Sequence, residues 1–155
     1  MAGALAAAFL DAPLIDGGWE SALRLLAERT GSAHGQLIGI GGPVAVPFNI
    51  VTHLDRADIE DFTDIDGYSP ERNFRVAASR GPLEIVHEQH YAAVQPRLKD
   101  DLYNDLCRDY DIPHGIQTVL HQDEQFLIGL SVNRSAKDGP STTEQREAFA
   151  AAVPA

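Results

Sequence analysis

The residues able to carry chemistry sit in a few short stretches. "DFTDIDGYSPERN", Asp61 to Asn73, is acidic enough to suggest a calcium loop. With Gly67 as the turning glycine, Asp64 and Asp66 fall at ligand positions. Phe62 and Asn73 then occupy the first and twelfth places, where a carboxylate and a bidentate Glu are required, so the motif fails at both ends. "HEQHY" sets His87 and His90 three residues apart, one short of the H-E-x-x-H spacing, and no third metal ligand is evident. "GLSVN" gives Ser131 a G-x-S-x-N context that lacks the last glycine of a nucleophile elbow and runs on as a strand. Cys107 lies on the apolar side of a helical pattern, where a free thiol is a small core residue. "GIGGPV" is neither G-x-G-x-x-G nor a Walker loop. The expectation is therefore no catalysis, no metal and no cofactor.

Composition narrows the rest. The chain has 155 residues, 44% of them hydrophobic, enough for one domain with one core. Its 23 acidic against 12 basic side chains give a net charge of −11. Such a surface is repelled by nucleic acid, which is held by clustered Lys and Arg. A single cysteine excludes an internal disulfide and fits a reducing cytosol. "MAGALAAAFLDAP" has no basic leading region and its apolar run stops at Asp11, which argues against export. No stretch reaches the ~20 apolar residues of a membrane span. A cytoplasmic protein without membrane contact is expected, with "ALAAAFL" a short helix packed on the domain or on a second subunit.

The elements that must position any site follow from periodicity. "DGGWESALRLLAERTGS" reads as a helix with Trp19, Ala22, Leu23, Leu26 and Ala27 on one stripe, Asp16 as cap and Gly31 at its end. "HGQLIGIGG" and "VAVPFNIVTHL" read as strands joined at Gly41-Gly42-Pro43, with Pro47 marking an edge or a bulge. Asp55 to Gly67 reads as an acidic loop. A helix is expected to start at Ser69-Pro70-Glu71, with Val76 and Ala77 facing inward. "PLEIVHE" reads as a short strand. "RLKDDLYNDLCRDYDI" is helical, with Leu98, Leu102, Leu106 and Tyr110 in a row and Tyr103 and Cys107 beside them.

"HGIQTVLHQDEQFLIGLSVNRS" is a hairpin turning at "QDEQ". Ile116, Thr118 and Leu120 share one face of its first strand, and Gln117, Val119 and His121 the other. On the return, Phe126, Ile128, Leu130 and Val132 oppose Leu127, Gly129, Ser131 and Asn133. Alternation leaves open which face meets the core. Both ribbons open with His-Gly, at His34-Gly35 and His114-Gly115. Ser141 and Glu144 form a capping box for a last helix, expected to run on past Ala155. Neutral hydrogen-bonding and aromatic residues then frame one candidate cavity: Phe48, Asn49, Tyr68, Phe74, Tyr103, Gln117 and Ser131.

From Leu98 onward, "LKDDLYNDLCRDYDIPHGIQTVLHQDEQFLIGLSVNRSAKDGPSTTEQREAF" resembles the sensory N-terminal half of LuxR-type transcriptional regulators. The features that carry this are Tyr103-Asn104-Asp105, His114-Gly115, Asn133-Arg134 and Thr143-Glu144. "WESALRLLAERTGSAHGQLIGI" is similar to the opening helix and first strand of such domains. The resemblance implies an α+β fold, GAF-like or alternatively PAS-like, with a central antiparallel sheet flanked by helices. It implies one ligand-sensing domain over residues 1–155, a homodimer, and DNA contact only through a further domain that this chain lacks. It carries over no ligand, since the residues that contact acyl-homoserine lactones are not evident as a set. Two alternatives stand beside it: an interaction-only dimerisation domain without ligand, and a small enzyme using histidine with Cys107 or Ser131.

Overall fold

Both β-ribbons enter one five-stranded antiparallel sheet with strand order β2-β1-β5-β4-β3. The computed structural model describes residues 2–41 and 48–153. Gly42, Pro43 and Pro47, on which the expected turn and edge signal rest, lie outside them. The strands are β1 (His34–Gly41), β2 (Phe48–Val51), β3 (Val86–His87), β4 (His114–Gln122) and β5 (Phe126–Arg134). The helices are α1 (Ala2–Asp11), α2 (Gly18–Arg29), α3 (Arg56–Asp64), α4 (Phe74–Ala78), α5 (Glu88–Val94), α6 (Leu102–Asp109) and α7 (Thr143–Ala152). This is the α+β arrangement expected, an antiparallel sheet with helices on its faces.

The two faces differ in kind. Leu37, Ile116, Leu130 and Val132 point to one side, where they bury Leu23 and Leu26 of α2, Leu5 of α1 and Phe149 of α7. The second core lies on the other side, where Phe62, Phe74, Tyr91, Tyr103 and Cys107 come from α3, α4, α5 and α6. The α2 stripe is the expected one: Ala22, Leu23, Leu26 and Ala27 are buried. α1 is the helix packed on the domain, through Leu5. In α6 the buried residues are Tyr103 and Cys107, while Leu102 is exposed, so the stripe is centred one residue beyond the leucine row.

Several local expectations are corrected. Asp16 does not cap α2; Gly17, with φ 70°, makes the entry through its backbone. Asp55 to Gly67 is not a loop but mostly α3, started by a capping box between Asp55 and Asp58. An acidic run read as solvated is here a helix that buries Phe62 on one side. Ser69 begins only a turn; α4 starts after Asn73, whose side chain accepts from the Arg75 and Val76 amides. Its inward residues are Phe74, Arg75 and Ala78 rather than Val76 and Ala77. A β-bulge between Val119 and His121 sets His121 opposite Ile128, off the Gln117–Val119 side. The cap of α7 is Thr142 with Gln145, one residue past the expected Ser141 and Glu144.

The His-Gly starts have a packing reason. Gly35 and Gly115 lie on either side of the end of β5, opposite Val132 and Asn133 respectively. A Cβ on Gly35 would run into the Leu23 carbonyl of α2, and one on Gly115 into the Val132 carbonyl. Gly35→Ala must therefore push α2 off the sheet, a cost of roughly 1–3 kcal/mol. Urea unfolding is expected to show a lower midpoint with an unchanged slope, whereas Gly3→Ala, which meets no atom, should leave it the same or higher.

Candidate functional site

The face beneath α3 to α6 carries a row of polar side chains in register. Gln36 on β1, Ser131 on β5 and Gln117 on β4 lie directly opposite one another across three strands. Gln36 Nε2 donates to Asn49 Oδ1 at 2.8 Å. Gln36 Oε1 accepts from Ser131 Oγ and Asn133 Nδ2, each at 3.3 Å. Tyr91 of α5 donates to Gln117 Oε1 at 2.7 Å, and Gln117 Nε2 donates to the Arg75 carbonyl at 2.7 Å. A polar row under cover must satisfy itself in this way, because each unpaired group costs the full price of its desolvation.

Arg75 is the centre of the covering layer. Its Nη1 donates to Tyr103 Oη at 2.8 Å and Cys107 Sγ at 3.3 Å; its Nη2 donates to the carbonyls of Ile112 at 2.6 Å and His114 at 3.1 Å. The guanidinium carbon lies 4.8 Å from the Phe74 ring centroid, 5.6 Å from that of Tyr91 and 5.9 Å from that of Tyr103. Burial pushes the phenols of Tyr91 and Tyr103 up, and Arg75 only partly offsets this. Burial likewise raises the Cys107 thiol against the pull of Arg75. These groups are neutral donors and acceptors near pH 7.

Six of the seven sequence-derived site residues belong to this side. Asn49, Gln117 and Ser131 lie in the sheet row, and Phe74 and Tyr103 stack edge-to-face at 5.2 Å above it. Tyr68 stands at the rim, edge-on to Phe62 at 4.7 Å. Phe48 is the exception. It packs over Gly39 on the opposite face and borders an apolar groove of about 510 Å³, with Phe9, Trp19, Leu37 and Ile128. Besides an open cleft of about 370 Å³ that Asn49 lines with Leu54 and Ile59, the polar row borders two small cavities. One, of about 40 Å³, is lined by Arg75, Gln117 and Ser131; the other, of about 30 Å³, by Gln36, Asn49, Tyr103 and Asn133. Each has room for a water or two, far below the ~300 Å³ at which ligand pockets begin. Arg75 Nε and Asn133 Oδ1 are buried beside them with no hydrogen-bond partner.

Gln36, Arg75, Tyr91 and Asn133 belong to the site and were not among the residues the sequence pointed to. Gln36 was readable from alternation, being offset from Leu37. Arg75 gave no signal: one arginine in "NFRVAAS" looks like a solvent residue.

The calcium-loop residues have other roles. Phe62 is core, and Asn73 caps α4 while donating to the Gly67 carbonyl at 2.7 Å. His87 and His90 close a capping box at the start of α5. Next to them, Glu88 ties α5 to two other elements. Its Oε1 accepts from Ser141 Oγ at 2.6 Å, and its Oε2 from the Gly115 and Ser141 amides at 3.0 Å. Ser141 thus anchors the approach to α7 instead of capping it.

No protein-family model matches the chain, and no curated protein does. Among solved structures the chain is similar to SdiA of Escherichia coli, with a TM-score of 0.53 and 16% identity, over 84% of this chain and 54% of that one. A structure of SdiA in complex with octanoyl-rac-glycerol gives a TM-score of 0.51 and 15% identity over the same shares. At this identity the likeness shows the fold. The chain spans about half the length of the solved chains it matches.

Burial works to raise the Glu88 carboxyl, but the Ser141 and Gly115 donors outweigh it and hold it below its ordinary 4.5. A carboxyl depressed by folding stabilises the native state above its unfolded pKa, and that share is lost as pH falls through the folded value. The stability of the protein is expected to drop as pH goes below 4.5. Glu88→Gln should be less stable at pH 7 and show a shallower acid slope; chemical unfolding at several pH values checks both.

Proposed function

We propose that this chain is the sensor domain of a LuxR-type transcriptional regulator, which binds a small molecule between the sheet and α3 to α6 and performs no catalysis. The observation that carries the reading is the in-register row Gln36, Ser131 and Gln117 lying under short helices, in a fold shared with SdiA, a LuxR-type regulator. Within this reading the domain is GAF-like, an antiparallel sheet with helices on both faces. The SdiA complex with octanoyl-rac-glycerol makes a small-molecule ligand a reasonable expectation here.

A ligand reaches Gln117 and Ser131 by displacing side chains, since the cavity they line is small. The elements above them are short, from 5 residues in α4 to 9 in α3. Helices of this length have no stability of their own and hold their place by packing. The ligand would take over hydrogen bonds that Gln117, Ser131 and Asn49 now make internally, and shift the population toward an opened layer. The signal would leave through α5: Tyr91 touches Gln117, and Glu88, one turn earlier, holds Ser141 at the start of α7. α7 would connect to a DNA-binding domain, and the regulator would act as a cytoplasmic homodimer. No described helix is long and apolar enough to cross a membrane.

A second reading, an interaction-only dimerisation domain, is favoured by the packed interior and by the exposure of Leu10, Leu14 and Ile15. A thermal-shift screen of small metabolites and acyl compounds separates the two. A ligand at 100 times its Kd adds about 2.7 kcal/mol of stability, which raises the midpoint by a few degrees. The sensor reading expects at least one such compound, with the rise lost in Gln117→Ala and Asn49→Ala. No response from any compound, together with a stable dimer by light scattering, supports the interaction-only domain instead.

A further inference from the structure

Most cations of this acidic chain have partners. Arg24, Arg56, Arg72 and Arg108 pair with Glu20, Glu60, Asp100 and Asp105. Arg134 donates to the carbonyls of Thr30, Gly31, Asp138 and Gly139, and Arg146 to Ser141 and Thr143. Arg29 is engaged as well, and Arg75 is the buried residue described above. Two arginines make no hydrogen bond or ion pair among the described residues: Arg80 and Arg97. They line the same cleft.

That cleft has a volume of about 470 Å³ and lies between the end of α4 and the outer side of α5 with the turn that follows it. No acidic side chain lines it. Gln89 and His90 add polar groups. His90 Nδ1 accepts from the His87 amide at 3.0 Å, so the ring N–H is on Nε2. Ala77, Ala93 and Val94 provide an apolar wall. In a chain of net charge −11, two unpaired guanidiniums beside neutral donors, with no carboxylate among the lining residues, form a local positive potential. Guanidinium forks match phosphate oxygens geometrically, and two of them match a dianion.

We propose that this cleft binds a small phosphate monoester, its dianion held between Arg80 and Arg97 and its organic part resting on Ala77, Ala93 and Val94. The site is separate from the polar row: Ser79 forms the wall between them, accepting from Gln117 Nε2 at 3.3 Å and donating to the Arg75 carbonyl at 3.0 Å. It stands whether or not the sensor reading does.

Phenyl phosphate and inorganic phosphate are the probes, titrated into the whole chain while backbone amides are followed by NMR. Saturable shifts are expected at residues 77–80 and 89–97, with phenyl phosphate the tighter of the two. Arg80→Gln and Arg97→Gln should each weaken binding about tenfold, the loss of one charge-assisted fork, and the double variant should show none. Both side chains are exposed and unpaired, so thermal midpoints should stay unchanged. Arg108→Gln, on another surface, should bind as the parent does. Shifts that persist in the double variant, or that spread to Arg56 and Arg108, mean adventitious ion binding only and overturn the proposal. So does a response confined to vesicles containing phosphatidic acid, which would make the surface a lipid contact.

Discussion

A charged guanidinium lies inside this protein with no carboxylate beside it. A guanidinium does not shed its proton in a protein, so Arg75 must be solvated by what the chain supplies. Four acceptors and three aromatic faces do so: Tyr103 Oη, Cys107 Sγ, the Ile112 and His114 carbonyls, and the rings of Phe74, Tyr91 and Tyr103. These groups come from α4, α5, α6 and the approach to and first residue of β4. One side chain therefore sets where three short helices sit on the sheet. Removing it would leave buried acceptors without donors, a loss on the order of 1–3 kcal/mol for each such group.

The sheet separates two kinds of adhesion. On one face, leucines, Val132 and Phe149 make an apolar core with α1, α2 and α7. That contact is proportional to buried apolar area and yields only when the fold does. On the other face, an apolar cluster around Phe62, Phe74 and Val86 is joined by specific bonds to the sheet, from Tyr91 to Gln117 and from Gln117 to the Arg75 carbonyl. Bonds of this sort can be exchanged for equivalent bonds to a ligand at little net cost. Glu88 then links the exchangeable layer to the segment before α7 through Ser141. The reading as a sensor rests on this asymmetry more than on any open pocket.

Much of the architecture was legible in the sequence, because strong periodicity survives tertiary context. α2 and the β4–β5 hairpin formed where their patterns placed them, whereas the helix expected from Arg97 to Ile112 is only Leu102–Asp109, with Leu98 outside it. The misses have separate physical causes. In α3, Asp55 and Asp58 exchange side-chain bonds with each other's amides, so a run that looked like charge for solvent is a helix start. Phe48 was grouped with Asn49 although adjacent strand residues face opposite ways, which puts Phe48 over Gly39 on the other face. The β4 bulge moved His121 in a way alternation alone cannot show. Arg75 was invisible because its burial depends on carbonyls far along the chain, which composition does not reveal.

The central claim is that the helical layer over the polar row opens without unfolding the sheet. Native-state hydrogen exchange measures this directly. Amides of α4, α5 and α6 should exchange through a partial opening, with less free energy than those of β1, β4 and β5. If the helices and the central strands exchange together, only by global unfolding, the polar face is a rigid core and the account fails.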